Sequence, residues 1–167
     1  MKFISPRFQI ISAVLLFLIA VVLGTQQTTR AGLADGAGAY NRGDYATALK
    51  EFRPLAERGN TLSQYLLGVM YYEGRGVPQD YKEAVKWFRK AAEQGDPGAQ
   101  FSLGLMYADG NGVPKNYVSA HMWLNLAAAK GHKEAVKMRD NLEKRMTRSQ
   151  IAEAQRMAKQ WKPKKSQ

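Results

Sequence analysis

The sequence predicts an all-α fold of stacked helix pairs, and an internal repeat of 36 residues is the strongest of three reasons. A period of this length is typical of helical arrays in which one unit cannot bury its apolar face without its neighbours. The other two reasons are capping residues at repeated positions and apolar residues at helical spacing. The residues of the first full copy that recur 36 positions later are Gln64, Leu67, Gly68, Met70, Tyr71, Gly74, Gly76, Val77, Pro78, Tyr81, Ala84, Trp87, Ala91, Ala92 and Gly95.

Capping residues indicate where the helices of each copy begin and end. Asn60 is predicted to cap the first helix, because its side chain can accept a hydrogen bond from a free N–H group of the first turn. That helix is predicted to end at Gly74, since glycine adopts the left-handed conformation most easily. Both signals recur one period later. The second helix is predicted to begin with a capping box formed by Asp80 and Glu83.

Apolar spacing gives each helix one buried face. Leu67, Met70 and Tyr71 lie at i, i+3 and i+4, a stripe that is typical of a helix packed on a core. On the second helices large rings lie near alanine, as in Ala84 and Trp87, which favours close helix packing. We therefore expect most of the aromatic residues to belong to the core.

Both ends of the array are expected to differ from its middle. Residues 25–33 are small or polar and predict a linker, followed by a short opening helix at about Leu33–Arg42 and a degenerate first copy. After Gly131 the period lapses, but apolar spacing predicts a further helix at His132–Met146.

A second capping box, formed by Thr147 and Gln150, predicts a last helix that runs to about Trp161. The basic segment after it contains Pro163, and we expect it to be disordered. The predicted units are residues 1–31 (signal peptide or N-terminal anchor), 32–131 (repeats at about 32–59, 60–95 and 96–131), 132–161 (two capping helices) and 162–167 (basic tail).

The N-terminal region predicts export. Basic residues precede Ile10–Gly24, a mostly apolar run. A membrane span needs about 20 residues, so this shorter run fits the apolar region of a secretory signal better. Small-x-small patterns at residues 22–24 and 29–31 are candidate cleavage sites. We expect a periplasmic or secreted protein, with an uncleaved N-terminal anchor as the alternative.

Charge separates the ends of the chain from its middle. The net charge is +11, of which residues 1–31 contribute +3, residues 32–129 nothing and residues 130–167 +8. A basic end favours contact with an anionic membrane or cell-wall polymer, and nucleic acid is not expected for an exported protein. The absence of cysteine excludes disulfides, thiolate metal sites and thiol nucleophiles.

Four motifs resemble the Sel-one-like repeat family, a longer-looped relative of tetratricopeptide (TPR) repeats. They are Ala-Gln-x-x-Leu-Gly-x-Met-Tyr, Gly-x-Gly-Val-Pro, Asp/Asn-Tyr-x-x-Ala-x-x-Trp and Ala-Ala-x-x-Gly, and the resemblance covers about Tyr40–Ala135. It implies a right-handed α/α solenoid of about three TPR-like helix pairs plus two C-terminal capping helices. It also implies an adaptor that binds proteins or peptides on a concave face. Some exported relatives are cysteine-rich, and this chain differs from them completely.

In such a solenoid the first helices line the groove. Tyr65, Val69 and Tyr72 lie at i, i+4 and i+7, a stripe separate from the core stripe. Aromatic side chains are good anchors for a peptide, and acidic residues suit the rim. Packing between repeats is the alternative role for Tyr65 and Phe101. The predicted partner-binding residues are Tyr65, Val69, Tyr72, Glu73, Phe101, Leu105 and Asp109.

No catalytic, metal or cofactor site is predicted. His121 and His132 are the only histidines, and no ligand spacing supports a metal site. The glycine loops follow helices rather than strands, so they do not match phosphate-binding loops. The sequence therefore predicts an exported, non-enzymatic adaptor with a protein or peptide partner and no small-molecule substrate. The alternative is an envelope-associated structural protein that contacts anionic membrane or wall polymer through its basic C-terminal helices.

Overall fold

The computed structural model describes residues 29–164, so nearly all of the predicted signal or anchor at residues 1–31 and the last three residues lie outside the described part. Within the described part the fold is all-α, as predicted, with eight helices and no strand. Helices α2 to α7 pack in chain order, each on the next, as in an α/α solenoid. The helices are α1 (29–41), α2 (Tyr45–Glu57), α3 (Thr61–Glu73), α4 (Tyr81–Glu93), α5 (Pro97–Asp109), α6 (Tyr117–Ala129), α7 (Lys133–Glu143) and α8 (Arg148–Gln160).

The predicted helix ends are largely confirmed. Asn60 accepts a hydrogen bond from the Ser63 N–H at 2.9 Å, and Gly74 ends α3 with a φ of 71°. The capping box at the start of α8 is present in full. The predicted box at the start of α4 is wrong in its second half: Asp80 caps the helix, but the Glu83 carboxylate pairs with Lys86 at 3.0 Å.

The predicted linker at residues 25–33 is wrong in its described part, because α1 already occupies residues 29–41. Small residues make this possible, since they let α1 lie close to α2. A Cβ atom on Gly36 would come within 2.5 Å of the Phe52 ring, and Ala39 is completely buried. The opening helix is therefore longer than Leu33–Arg42 and packs on the array.

Leucine and methionine residues of the first helices form the centre of the core. Leu67, Met70, Leu103 and Met106 are each at most 2% exposed. Gly68 allows the close approach of α3 and α4, because a Cβ atom there would lie 2.5 Å from the Phe88 ring. The predicted core stripes and close packing of helices are confirmed.

A buried hydrogen bond repeats along the array. The Gln64 side-chain amide donates to the Ala56 carbonyl oxygen at 2.9 Å. The Gln100 amide donates to the Ala92 carbonyl oxygen at 3.2 Å, one period later. Each bond ties the first helix of a pair to the last turn of the helix before it, so the 36-residue repeat extends to polar contacts as well as apolar packing.

The C-terminal segment turns back onto the array. Helix α8 packs mainly on α6 rather than on α7, and Trp161 meets Trp123 edge to face at 6.3 Å. The predicted disorder of the tail is wrong for its first residues. The Lys164 backbone N–H donates to the Glu93 carbonyl oxygen at 2.8 Å, and the Lys164 ammonium pairs with the Glu93 carboxylate at 2.9 Å.

No helix within residues 29–164 combines the length and the hydropathy needed to cross a membrane.

Candidate partner-binding groove

A cavity of about 230 Å³ lies between α3 and α5, the first helices of the two full repeats. Its base contains Phe88 and Met106, each 2% exposed, and its rim contains Tyr72, which is 40% exposed. The Tyr65 ring lies 5.9 Å from the Phe88 ring and forms a side wall. The lining residues are Tyr65, Val69, Tyr72, Glu73, Phe88, Ser102, Leu105, Met106, Asp109 and Asn111.

Six of the seven predicted partner-binding residues line this cavity, and Phe101 does not. The Phe101 ring stacks on the His132 imidazole at 4.4 Å and packs against the core shared by α6 and α7. It therefore fills space between α5 and α7, which is the packing role held as the alternative. Sequence reasoning assigned Phe88 to the core and missed that one side of its ring lines a cavity.

Burial keeps the Tyr65 hydroxyl protonated. Partial burial raises the pKa of Tyr65, and the nearby carboxylates of Asp96 and Glu73 raise it further. The phenol is neutral at physiological pH and keeps its proton. It offers a partner one hydrogen-bond donor beside an apolar surface.

The two acidic rim residues differ in their surroundings. The Glu73 carboxylate forms an ion pair with the Arg75 guanidinium at 2.8 Å and accepts a long hydrogen bond of 3.4 Å from the Tyr40 hydroxyl. Asp109 occupies the matching position one period later, where Asn111 replaces the arginine. Among residues 29–164 Asp109 forms no ion pair. Asp109 is thus the carboxylate that is available to a partner.

The arginine also fixes the rim at the N-terminal end. The Arg75 guanidinium donates to the Tyr40 hydroxyl oxygen at 2.9 Å and lies 5.6 Å from the centre of that ring. Burial raises the pKa of Tyr40, the Glu73 carboxylate raises it further, and the cation of Arg75 opposes both. These contacts connect α1 to the loop after α3, so they hold Glu73 in one place rather than leaving it free.

Neither histidine of the chain belongs to the cavity. No histidine lines it, and within residues 29–164 no three histidine, aspartate or glutamate side chains come together as a metal site would require. His121 is completely buried, with its Nε2 atom 2.7 Å from the Glu143 carboxylate. His132 caps α7. Both histidines therefore have structural roles at the C-terminal end of the array.

Comparisons with known proteins agree with this architecture. The model of the Sel1 repeat matches residues 61–96 and 97–132. A protective antigen present in uropathogenic Escherichia coli strains, described as displaying an SLR fold, is similar over 83% of this chain, with a TM-score of 0.77 and 32% identity. A Sel1 repeat protein from Oxalobacter formigenes is similar over 64% of this chain, with a TM-score of 0.62 and 36% identity.

The aligned part spans 30% of the first of these proteins and 44% of the second, so the chain corresponds to less than half of either. No curated protein matches the chain. The matched repeats, their 36-residue period and the two solved structures agree: the chain contains two Sel1 repeats and has the fold of Sel1-like repeat proteins.

Proposed function

We propose that the protein is an exported, non-enzymatic adaptor that binds an extended segment of a protein partner in the groove between α3 and α5. The Sel1-like repeat fold generally mediates interactions between proteins, which supports a protein partner. The observation that carries the proposal is the cavity itself. It has a buried apolar base, aromatic walls and one carboxylate without an ion pair, Asp109.

The size of the cavity suits a peptide side chain. Pockets for drug-sized ligands measure about 300–1,000 Å³, and this one is smaller at about 230 Å³. An apolar or aromatic side chain of the partner would contact Phe88 and Met106 at the base. The Asp109 carboxylate would then accept a hydrogen bond from a backbone N–H or a cationic side chain of the same segment.

The test is a cross-linked pull-down from the native envelope with matched variants. Tyr72→Ala combined with Asp109→Asn removes a rim ring and the available carboxylate, and both residues are exposed enough to leave the fold intact. The control is Leu62→Ala, because Leu62 is 46% exposed but does not line the cavity. We expect the control to recover the wild-type partners and the double variant to lose them. Equal recovery by all three proteins would contradict the groove assignment.

Export is part of the proposal, and the position of α1 favours one cleavage site. Cleavage after Gly24 leaves all described residues of α1 in the mature protein, whereas cleavage after Ala31 removes residues 29–31 from that helix. We expect the mature chain to begin at Thr25. Mass determination of the purified protein decides the matter, because an intact Met1 would contradict cleavage and a start at Gly32 would contradict our choice of site.

An envelope-associated structural role is the second candidate, and the surface of α8 favours it. Arg148, Arg156 and Lys159 are exposed, lie on one side of the helix by their spacing, and form no ion pair within residues 29–164. Such a strip can bind an anionic lipid or wall polymer.

Charge neutralisation separates the two roles better than truncation does. Removing α8 would expose the core, because Ala154 and Ala158 are buried. The variant Arg148→Gln, Arg156→Gln, Lys159→Gln keeps the packing and removes the charge. If the structural role holds, this variant loses binding to vesicles that contain phosphatidylglycerol. If the adaptor role holds, partner recovery stays at the wild-type level.

A further inference from the structure

Helix α7 continues the 36-residue period beyond the second matched repeat. His132 caps α7 where Asp96 caps α5, and Ala135 is completely buried, as Ala99 is. Leu142, at 6% exposure, takes the place of Met106. Helix α7 is therefore the first helix of a further unit whose sequence has diverged.

A second cavity, of about 290 Å³, lies between α5 and α7 and repeats the first one. Every residue that lines it, except Lys144, is 36 positions after a residue that lines the first cavity. For example, Leu124 occupies the position in the second cavity that Phe88 has in the first, and Asp109 occupies the position of Glu73. The lining residues are Ala108, Asp109, Leu124, Met138, Asn141, Leu142, Lys144 and Arg145.

The two cavities differ in charge. Asp109 lines both and forms the wall between them. On the far side of the second cavity Arg145 occupies the position that Asp109 has in the first, and Lys144 adds another cation. The Arg145 guanidinium lies 5.0 Å from the centre of the Tyr117 ring, and Lys144 contacts the Asn141 side chain at 3.3 Å. Neither cation forms an ion pair within residues 29–164.

We infer that the cavity between α5 and α7 is a second subsite, which binds an apolar side chain and an adjacent carboxylate of the same partner segment that occupies the first. This inference depends on the proposed function. Met138, which is 39% exposed, together with Leu124 and Leu142 supplies the apolar surface. Lys144 and Arg145 supply the charge for an aspartate, a glutamate or a C-terminal carboxylate.

The charge pattern favours a peptide over a lipid surface. A polyanion that follows the groove would meet Asp109 directly beside the two cations, and like charges repel. A peptide segment avoids this conflict, because it can place a donor at Asp109 and a carboxylate at Arg145. The apolar lining between them also requires an uncharged side chain, which a phosphate headgroup does not offer.

The experiment selects displayed random dodecapeptides on the immobilised full chain. We expect the selected peptides to share an acidic residue next to an apolar one. For the best peptide, Lys144→Glu with Arg145→Glu should weaken binding at least about ten-fold. Replacing the acidic residue of the peptide by its amide should weaken binding to the wild type similarly and have little further effect on the variant. The matched control is Lys133→Glu with Lys137→Glu, which makes the same charge change on α7 outside the cavity lining and should leave binding unchanged.

The other outcomes separate this inference from the proposed function. Peptides that bind through Tyr72 but show no acidic preference would overturn the second subsite and keep the adaptor role. Failure of the full chain to bind any peptide would overturn both. Loss of binding to phosphatidylglycerol vesicles in the Lys144→Glu, Arg145→Glu variant, with peptide binding unchanged, would assign these cations to a membrane. Circular dichroism melts of all variants show whether each protein is folded.

Discussion

The first helices of the α5–α6 and α7–α8 pairs begin 36 residues apart, as the period requires, but their second helices pack differently. The connection from α5 to α6 spans residues 110–116 and contains two glycines with positive φ, Gly110 and Gly112. The connection from α7 to α8 spans only residues 144–147 and contains no glycine. The longer loop returns α6 along α5, whereas α8 leaves α7 and packs on α6.

This difference shows that the two helices of a repeat have separate structural roles. The first helix of each unit faces the groove, and α7 keeps that task because its N-cap and buried positions follow the period. The second helix covers the core for the next unit. Helix α8 instead covers existing core with Ala154 and Ala158 and presents charged residues to solvent.

The largest expected effect compares leucines inside the array and at its end. Leu103 is completely buried in the middle of the core, so Leu103→Ala should lower the free energy of unfolding by about 2–5 kcal/mol. Leu142 is 6% exposed on α7, and Leu142→Ala should cost about 2 kcal/mol, because the end of the array can relax around the cavity. Urea unfolding measures both. A larger cost for Leu142→Ala would mean that α7 belongs to the centre of the folding unit.

The second largest loss of stability is expected from replacing glycines in the loops between helices. Gly112 and Gly131 have φ values of 69° and 86°, so alanine is strained at both, at a cost of about 1–2 kcal/mol. A Cβ atom on Gly112 would also collide with the Tyr81 carbonyl oxygen, while none of the described atoms lies within 4 Å of a Cβ on Gly131. Gly112→Ala should therefore be clearly the more destabilising in thermal unfolding. Equal melting temperatures would show that the loop does not rest on the preceding repeat.

These examples show why the period predicted so much of the fold. Residues 36 apart occupy equivalent positions in the array, so the helix ends, core stripes and most of the groove could be read from the sequence. The start of helix α1 was harder to predict, because Gly32 looks like part of a linker until the Glu51 and Leu55 side chains of α2 are placed against it. The second cavity was missed because α7 keeps the period in position and burial while changing residue types, such as Asp96 to His132.

Phe101 illustrates a different limit. Its spacing from Tyr65 is one period, yet Tyr65 lines the cavity and Phe101 stacks on His132. Periodicity fixes where a backbone position lies relative to the array, but the neighbour on the next helix decides whether a ring points into open groove or into packing. The sequence alone does not show how close that neighbouring side chain lies.

A smaller effect is expected where α6 meets the end of α7. His121 is buried at the position of Val85, and its Nε2 atom has the Glu143 carboxylate as partner. Glu143→Ala should cost about 1–3 kcal/mol, because it leaves a buried polar group without that partner. The double variant His121→Val, Glu143→Ala should recover most of this loss, since valine needs no hydrogen bond. A double variant as unstable as Glu143→Ala would mean that the carboxylate stabilises α7 in another way.

The smallest effect compares one hydrogen bond in two environments. The Arg53 guanidinium donates to the Tyr71 hydroxyl at 2.9 Å on an exposed surface, and Arg89 donates to Tyr107 at 2.7 Å where the pair is partly buried. Arg53→Ala should change the free energy of unfolding by less than about 0.5 kcal/mol, because water replaces the lost partner. Arg89→Ala should cost about 1 kcal/mol, since Arg89 is half-buried where Arg53 is exposed. If the two variants lose the same free energy of unfolding, solvent access has no influence on the strength of this hydrogen bond.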